Sequence, residues 1–206
     1  VYFDMDTIKR GVLRVLNRDG YKMFIDLEFS MPPYDYDGGT FPSEIVQYGF
    51  IIENSFGEVV YEDSSLVKVR GKRGISQRTL DFLNRKPEDF NQAVTPIQFY
   101  ETFQKCLEEY NPIIMVWGKN DISMLSSFYS TNNLKPITDR ASFVNLMQLL
   151  KNYYGLKSDV GLFNALNFFK DDMHLSQDHD ALEDAMVTSM VYHYFKDYAN
   201  KRQKTH

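Results

Sequence analysis

YKMFIDLEFS, residues 21–30, decides how the rest of this chain is read. The run is rich in β-formers and aromatics, which predicts a strand over Tyr21–Phe29. On a strand, alternate side chains share a face. Met23, Ile25 and Leu27 then point into the core, while Asp26 and Glu28 project together from the other side. They form the only D-x-E in the sequence. Two carboxylates held on a rigid, otherwise apolar strand are costly unless a cation neutralises them. A divalent metal does that, whereas an isolated D-x-E is more often a pair of exposed edge-strand acids.

Downstream, the loop MPPYDYDGGTFPS (31–43) is dense in Pro, Gly and Asp. Glu44–Glu53 and Glu58–Val69 read as two more strands joined by a turn at 54–57, which suggests an antiparallel meander. The pattern then changes. Thr95-Pro96-Ile97-Gln98 is a capping box with Pro at the first helical position, opening a helix to about Tyr110. Ile113–Trp117 is a continuous apolar run, the mark of a strand buried on both faces. Helices follow near 121–131, 142–154, 162–169 and 180–198, with Leu134–Thr138 as a last short strand. Upstream, Ile8, Val12, Leu13 and Leu16 have helical spacing. Strands first, then alternating helix and strand, predict an α/β domain with a mixed sheet. The expected division is an N-terminal helical extension outside the core (1–21), one domain (22–198) and a basic tail (199–206).

With 206 residues, 43% of them hydrophobic, the chain is long and apolar enough for one substantial core. It contains no apolar run of membrane-spanning length. Cys106 is the only cysteine, which excludes an internal disulfide and a thiolate zinc cluster; its helical apolar context makes it a small core residue. The chain opens on Val1 rather than Met, which leaves room for residues upstream, and nothing in its first residues argues for export, so the expected setting is cytoplasmic. A net charge of −5 argues against a protein that coats nucleic acid, but not against a metal site, which is acidic by construction. Basic residues still gather locally, at Lys68, Arg70, Lys72, Arg73 and Arg78 and at Lys201, Arg202 and Lys204. The first group is read as either a solvated loop or a phosphate contact, the second as a solvated terminus.

Three further residues join Asp26 and Glu28. Asp121 follows the buried strand 113–117, and the carboxyl end of such a strand is where ligands sit; capping of the next helix by Asn120 or Asp121 is an equal reading. His179 and Asp184 stand five residues apart, which on one continuous helix separates them by about 140°. They converge only if His179 lies on the loop entering the helix and Asp184 inside it. Asp180 then serves the helix start. The acids suit oxygen-loving cations such as Mg²⁺ or Mn²⁺. Two such ions about 4 Å apart clamp an in-line displacement at phosphorus, and a histidine can take the proton of the attacking water.

The order D-x-E, then D, then H-x(4)-D resembles the DEDDh 3′→5′ exonucleases. FIDLEFSMP, FPSEIVQYG and WGKNDISML are similar to the KapD-like branch and to the related exonucleases that trim histone mRNA. The resemblance covers about 22–197 and implies a ribonuclease H-like fold, a five-stranded mixed sheet flanked by helices. It implies that two divalent cations, Mg²⁺ or Mn²⁺, are held by Asp26, Glu28, Asp121 and Asp184. Asp26 is shared by both, Glu28 and Asp184 complete the tighter site, and Asp121 serves the second. His179 is then the general base, and Leu27, Phe29 and Ser30 line the pocket for the 3′-terminal nucleotide. The tyrosine branch of these enzymes is excluded because Asp180 stands where its Tyr would be. Asn84 stands where the family carries a glycine, which implies a left-handed backbone there. The expected partner is the 3′ end of single-stranded nucleic acid, RNA ahead of DNA, with release of nucleoside 5′-monophosphates.

A second reading keeps the fold as a regulatory, partner-binding module; the intact set of five residues weighs against it. An HD-type phosphohydrolase is excluded because it needs histidines well upstream of His174, the first in the chain. A ribonuclease H endonuclease shares the acids but not the H-x(4)-D ending. Tyr34, Tyr36 and Phe41 either stack on bases or pack within their loop, and Trp117 is read as core.

Overall fold

A computed structural model of the chain describes residues 4–172 and 175–205. The strand Lys22–Phe29 (β1) runs through the middle of a five-stranded sheet. On one side it pairs antiparallel with Ile45–Glu53 (β2), which pairs antiparallel with Val59–Leu66 (β3). On the other it pairs parallel with Ile113–Val116 (β4), and Phe143–Asn145 (β5) closes that edge parallel to β4. The strand order is β3-β2-β1-β4-β5, a mixed sheet.

Seven α-helices are present among the described residues: Met5–Leu16 (α1), Gln77–Leu83 (α2), Pro96–Tyr110 (α3), Asn120–Thr131 (α4), Leu146–Tyr154 (α5), Leu162–Phe169 (α6) and Ala181–Gln203 (α7). Alternation along β1 sorts its side chains between two cores. Met23, Ile25 and Leu27 join Phe99, Phe103, Cys106, Leu125 and Phe128 of α3 and α4. Phe24 joins Leu16, Leu146, Leu166, Val191 and Phe195 on the other face. The strand thus has no solvent side, and the expected single core face is corrected: Asp26 and Glu28 share the α7 face with a fully buried Phe24.

The capping box forms as the sequence predicts, with Thr95 and Gln98 each bonding the other's backbone. Asn84 ends α2 at φ 51°, ψ 48°, in the left-handed region. Two expectations are corrected. Leu134–Thr138 carries no strand; the edge strand is Phe143–Asn145, only three residues long and hidden at the start of what reads as one apolar helix. Asn145 makes the division by ending β5 and accepting the N–H of Gln148 as the cap of α5. The N-terminal helix is not peripheral to the packing, since Val12, Leu13 and Leu16 lie in the α7-side core and Tyr192 Oη donates to the Leu16 carbonyl at 2.6 Å. Helix α7 continues past residue 198 to Gln203, with Ala199 buried. No described helix is long and apolar enough to cross a membrane.

Candidate active site

Because β1 and β4 are parallel, their carboxyl ends share one edge of the sheet. Asp26 and Glu28 occupy that end of β1. From β4 the chain turns through Gly118, at φ +90°, into the first turn of α4, which delivers Asp121 beside β1. Asp121 is 5% exposed and its Oδ1 accepts the Leu27 N–H at 3.0 Å. It therefore does not cap α4; the cap position is Lys119, whose side chain makes no capping bond.

The other half arrives with α7. Asp180 caps it by accepting the Glu183 N–H at 3.1 Å, the role its position suggests. His179 stands just before this cap at φ +52°, and Asp184 lies one turn inside the helix, 3% exposed. A histidine on the entering loop and an aspartate within the helix do converge. Donor atoms of Glu28, His179 and Asp184 lie within 4.8 Å of one another. The imidazole stacks on Phe82 of α2, ring centres 4.0 Å apart.

Helix α7 comes this close because β2 has no side chain in its way. Gly49 is the cross-strand partner of Asp26, and a Cβ there would overlap the backbone of Ala181 and Leu182. Next along β2, Gln47 donates to Asp180 Oδ2 at 3.1 Å and accepts the Ala181 N–H at 3.3 Å. Arg85 adds an ion pair to Asp180 at 3.5 Å, and Gln177 donates to Asp184 Oδ2 at 3.0 Å. None of these supports was foreseen. A buried glutamine and a glycine inside the apolar run IVQYGFII are signals of a close backbone approach. Phe82 and Gln177 gave none.

Electrostatically the cluster is expensive. Burial, then the charges of Asp121, Glu28 and Asp184, push the Asp26 carboxyl well above its usual range. Burial, with Asp184 and Asp121 behind it, pushes Glu28 up to about 8. Burial lifts Asp121 to about 7 against the opposing Leu27 hydrogen bond. Asp184 is raised by burial, partly offset by Gln177 and His179. Among the described residues, Asp26 Oδ2 is buried with no hydrogen-bond partner. An acceptor-only oxygen left without a donor, inside a ring of acids, fits a divalent cation. Asp26, Glu28, Asp121 and Asp184 offer the hard oxygen donors such an ion takes, and Cys106, the single cysteine, is buried in the opposite core.

The three expected pocket residues are placed less uniformly. Leu27 buries its side chain on the far face of the sheet, and Phe29 packs against the same core. The hydroxyl of Ser30 accepts the Glu44 N–H at 2.8 Å. Glu44, outside the site, accepts the N–H groups of Arg70 and Gly71. Trp117 is half-buried and donates to the Val160 carbonyl at 2.9 Å, a structural role.

No protein-family model matches the chain, and no curated protein matches it in sequence. Solved structures do match its fold. The nuclease domain of 3′hExo, a DEDDh family member bound to rAMP, superposes with TM-score 0.74 at 16% identity, over 87% of this chain and 93% of that one. Cell-death related nuclease 4 gives 0.69 at 16% identity, over 89% of this chain and 64% of that one. E. coli Exonuclease I in complex with a dT13 oligonucleotide gives 0.68 at 14% identity; 91% of this chain matches 43% of that one. The five-stranded mixed sheet flanked by helices is thus the ribonuclease H-like fold of these exonucleases.

Proposed function

We propose that this chain is a metal-dependent 3′→5′ exonuclease that removes nucleoside 5′-monophosphates from single-stranded nucleic acid. The observation that carries the reading is the gathering of Asp26, Glu28, Asp121, His179 and Asp184 at one sheet edge, with a buried Asp26 oxygen that has no partner among the described residues. In this reading Asp26, Glu28, Asp121 and Asp184 would hold the divalent cations. Bound Mg²⁺ or Mn²⁺ supplies the positive charge that stabilises an in-line displacement at phosphorus. His179 accepts the proton of the attacking water at a ring nitrogen. Phe82 lies against the imidazole, and the Asp180 cap next to His179 sets where α7 begins. The Leu27 and Phe29 side chains turn to the α3–α4 core, so in this reading it is the backbone from Leu27 to Ser30 that borders the terminal nucleotide.

Ribonucleotide chains are preferred over deoxyribonucleotide chains in this reading, since 3′hExo was solved with rAMP and FIDLEFSMP and WGKNDISML resemble the RNA-trimming branch. E. coli Exonuclease I, solved with a deoxyoligonucleotide, makes the DNA arm necessary. The test is digestion of 5′-labelled single-stranded RNA and DNA of matched sequence with Mg²⁺ or Mn²⁺, beside EDTA and the Asp26→Asn protein. The expected result is a ladder shortening from the 3′ end, faster on RNA and absent from both controls. No cleavage of either strand would turn the reading to a partner-binding module on the same fold.

A further inference from the structure

Two segments with no role in the site described above meet beside it. One is the loop after β1, with Tyr34, Tyr36 and Phe41; the other is the basic stretch Lys68 to Arg78. The loop is fastened to α2. Met31 N–H donates to Thr79 Oγ1 at 2.8 Å, Ser76 Oγ donates to the Met31 carbonyl at 2.7 Å, and Tyr34 Oη donates to Asp81 at 2.9 Å. The tyrosines and arginines then pair: the Arg78 guanidinium stands 5.9 Å from the Tyr34 ring and that of Arg73 stands 5.8 Å from the Tyr36 ring. Phe41 meets Tyr36 edge-on at 5.4 Å.

These pairs are connected to the catalytic histidine. Phe82, stacked on His179, and Arg78 are four residues apart on α2, so they share a helix face. His179, Phe82, Arg78 and Tyr34 form a series leading outward, and the pair of Tyr36, on the loop of Tyr34, with Arg73, on the segment before α2, lies beyond. Tyr34 is 69% exposed, and Arg73 and Arg78 are exposed. Asp35 and Asp37 are exposed on the same loop, and Asp81 is engaged by Tyr34 and Gln77. The cations Lys68, Arg70, Lys72, Arg73 and Arg78 outnumber these three acids.

Resting on the exonuclease reading, we infer that this surface is the track for the substrate strand upstream of its 3′ end, Arg73 and Arg78 binding backbone phosphates and Tyr34 and Tyr36 stacking bases. Alternating aromatic faces and cations suit a single strand, whose bases are free to stack, and do so without sequence preference. A duplex hides its base faces and gains only the phosphate contacts.

The test uses the pairs Tyr34→Leu/Tyr36→Leu, which keeps bulk and removes the π-face, and Arg73→Gln/Arg78→Gln. Turnover with Mn²⁺ is measured on a single strand of about a dozen nucleotides and on a dinucleotide too short to reach the track. Binding of the labelled longer strand is followed by anisotropy in EDTA over a range of salt. For the long strand each pair raises KM and Kd about tenfold with kcat within about twofold. The dinucleotide is unaffected, and the arginine pair makes the log Kd against log salt slope shallower by about 1.4. Unchanged KM, Kd and slope, with normal turnover, would overturn the track and leave the exonuclease standing. Binding that depends on these residues without turnover by the wild-type protein would do the reverse. A wild-type protein that neither binds nor cleaves the strand would remove both.

Discussion

At Asp26 a carboxylate oxygen is buried without a donor among the described residues while Glu28, Asp121 and Asp184 crowd it, so the residue is costly to the fold unless a cation is bound. Asp26→Asn should therefore do two opposite things: abolish turnover, and stabilise the metal-free protein by about 1–2 kcal/mol in urea unfolding with EDTA. A metal-free variant less stable than wild type would mean that the aspartate is held by something other than charge. His179 asks a different question, because its ring lies among the Glu28 and Asp184 oxygens and is placed equally well for a ligand. Asparagine is the better replacement than alanine, since it tolerates the left-handed backbone at φ +52°. His179→Asn should cut kcat on the order of 10²- to 10⁴-fold while leaving the Mn²⁺-induced thermal shift intact. Loss of that shift would make the histidine a ligand rather than a base. All five of these proposed site residues were named from the sequence, because the proposed chemistry restricts their types and order. Gln177 and Phe82 could not, since they act only by holding a neighbour, and many side chains can do that.

Between elements, the decisive contact is α7 against β2 at Gly49. Gly49→Ala forces the helix start away from the sheet and carries Asp184 and His179 with it. We expect a loss of about 1–3 kcal/mol in urea unfolding, the usual cost of overpacking. A weakened Mn²⁺ response in the same protein, measured by thermal shift, would show that the helix has moved; a full response would mean that the strand yields instead. Elements with strong composition or caps were legible, α3 from its Thr95–Gln98 box and β1 from its run of β-formers and aromatics. Strand β5 was not, because three residues carry no period and its sequence runs without a break into α5. Helix α2 also escaped: its signals are one Ser76 cap and the left-handed Asn84, and only the latter was read in advance, as a backbone position rather than a helix end.

Over the whole molecule, the acids make stability depend on pH and metal together. Glu28 at about 8 and Asp121 at about 7 lie above their unfolded values, so between those values the folded state holds more protons than the unfolded one. Their contribution is present at about pH 4 and is lost as pH rises through about 7 to 8. In EDTA the melting temperature should fall from about pH 5 to about pH 8, and added Mn²⁺ should restore more of it at the higher pH. A thermal shift by Mn²⁺ that stays constant across this range would show that the acids are not its binding site. The class of fold was legible at this scale from strands preceding an alternating helix–strand pattern, whereas the place of α1 was not: its apolar stripe shows that it packs, not where. The spread of the site along the chain also sets when it can exist. Asp26 and Glu28 leave the ribosome before Asp121, and His179 and Asp184 follow only with α7. On the exonuclease reading, a chain whose synthesis has not yet reached α7 holds only part of its metal site and cannot turn over, a form of restraint that needs no inhibitor.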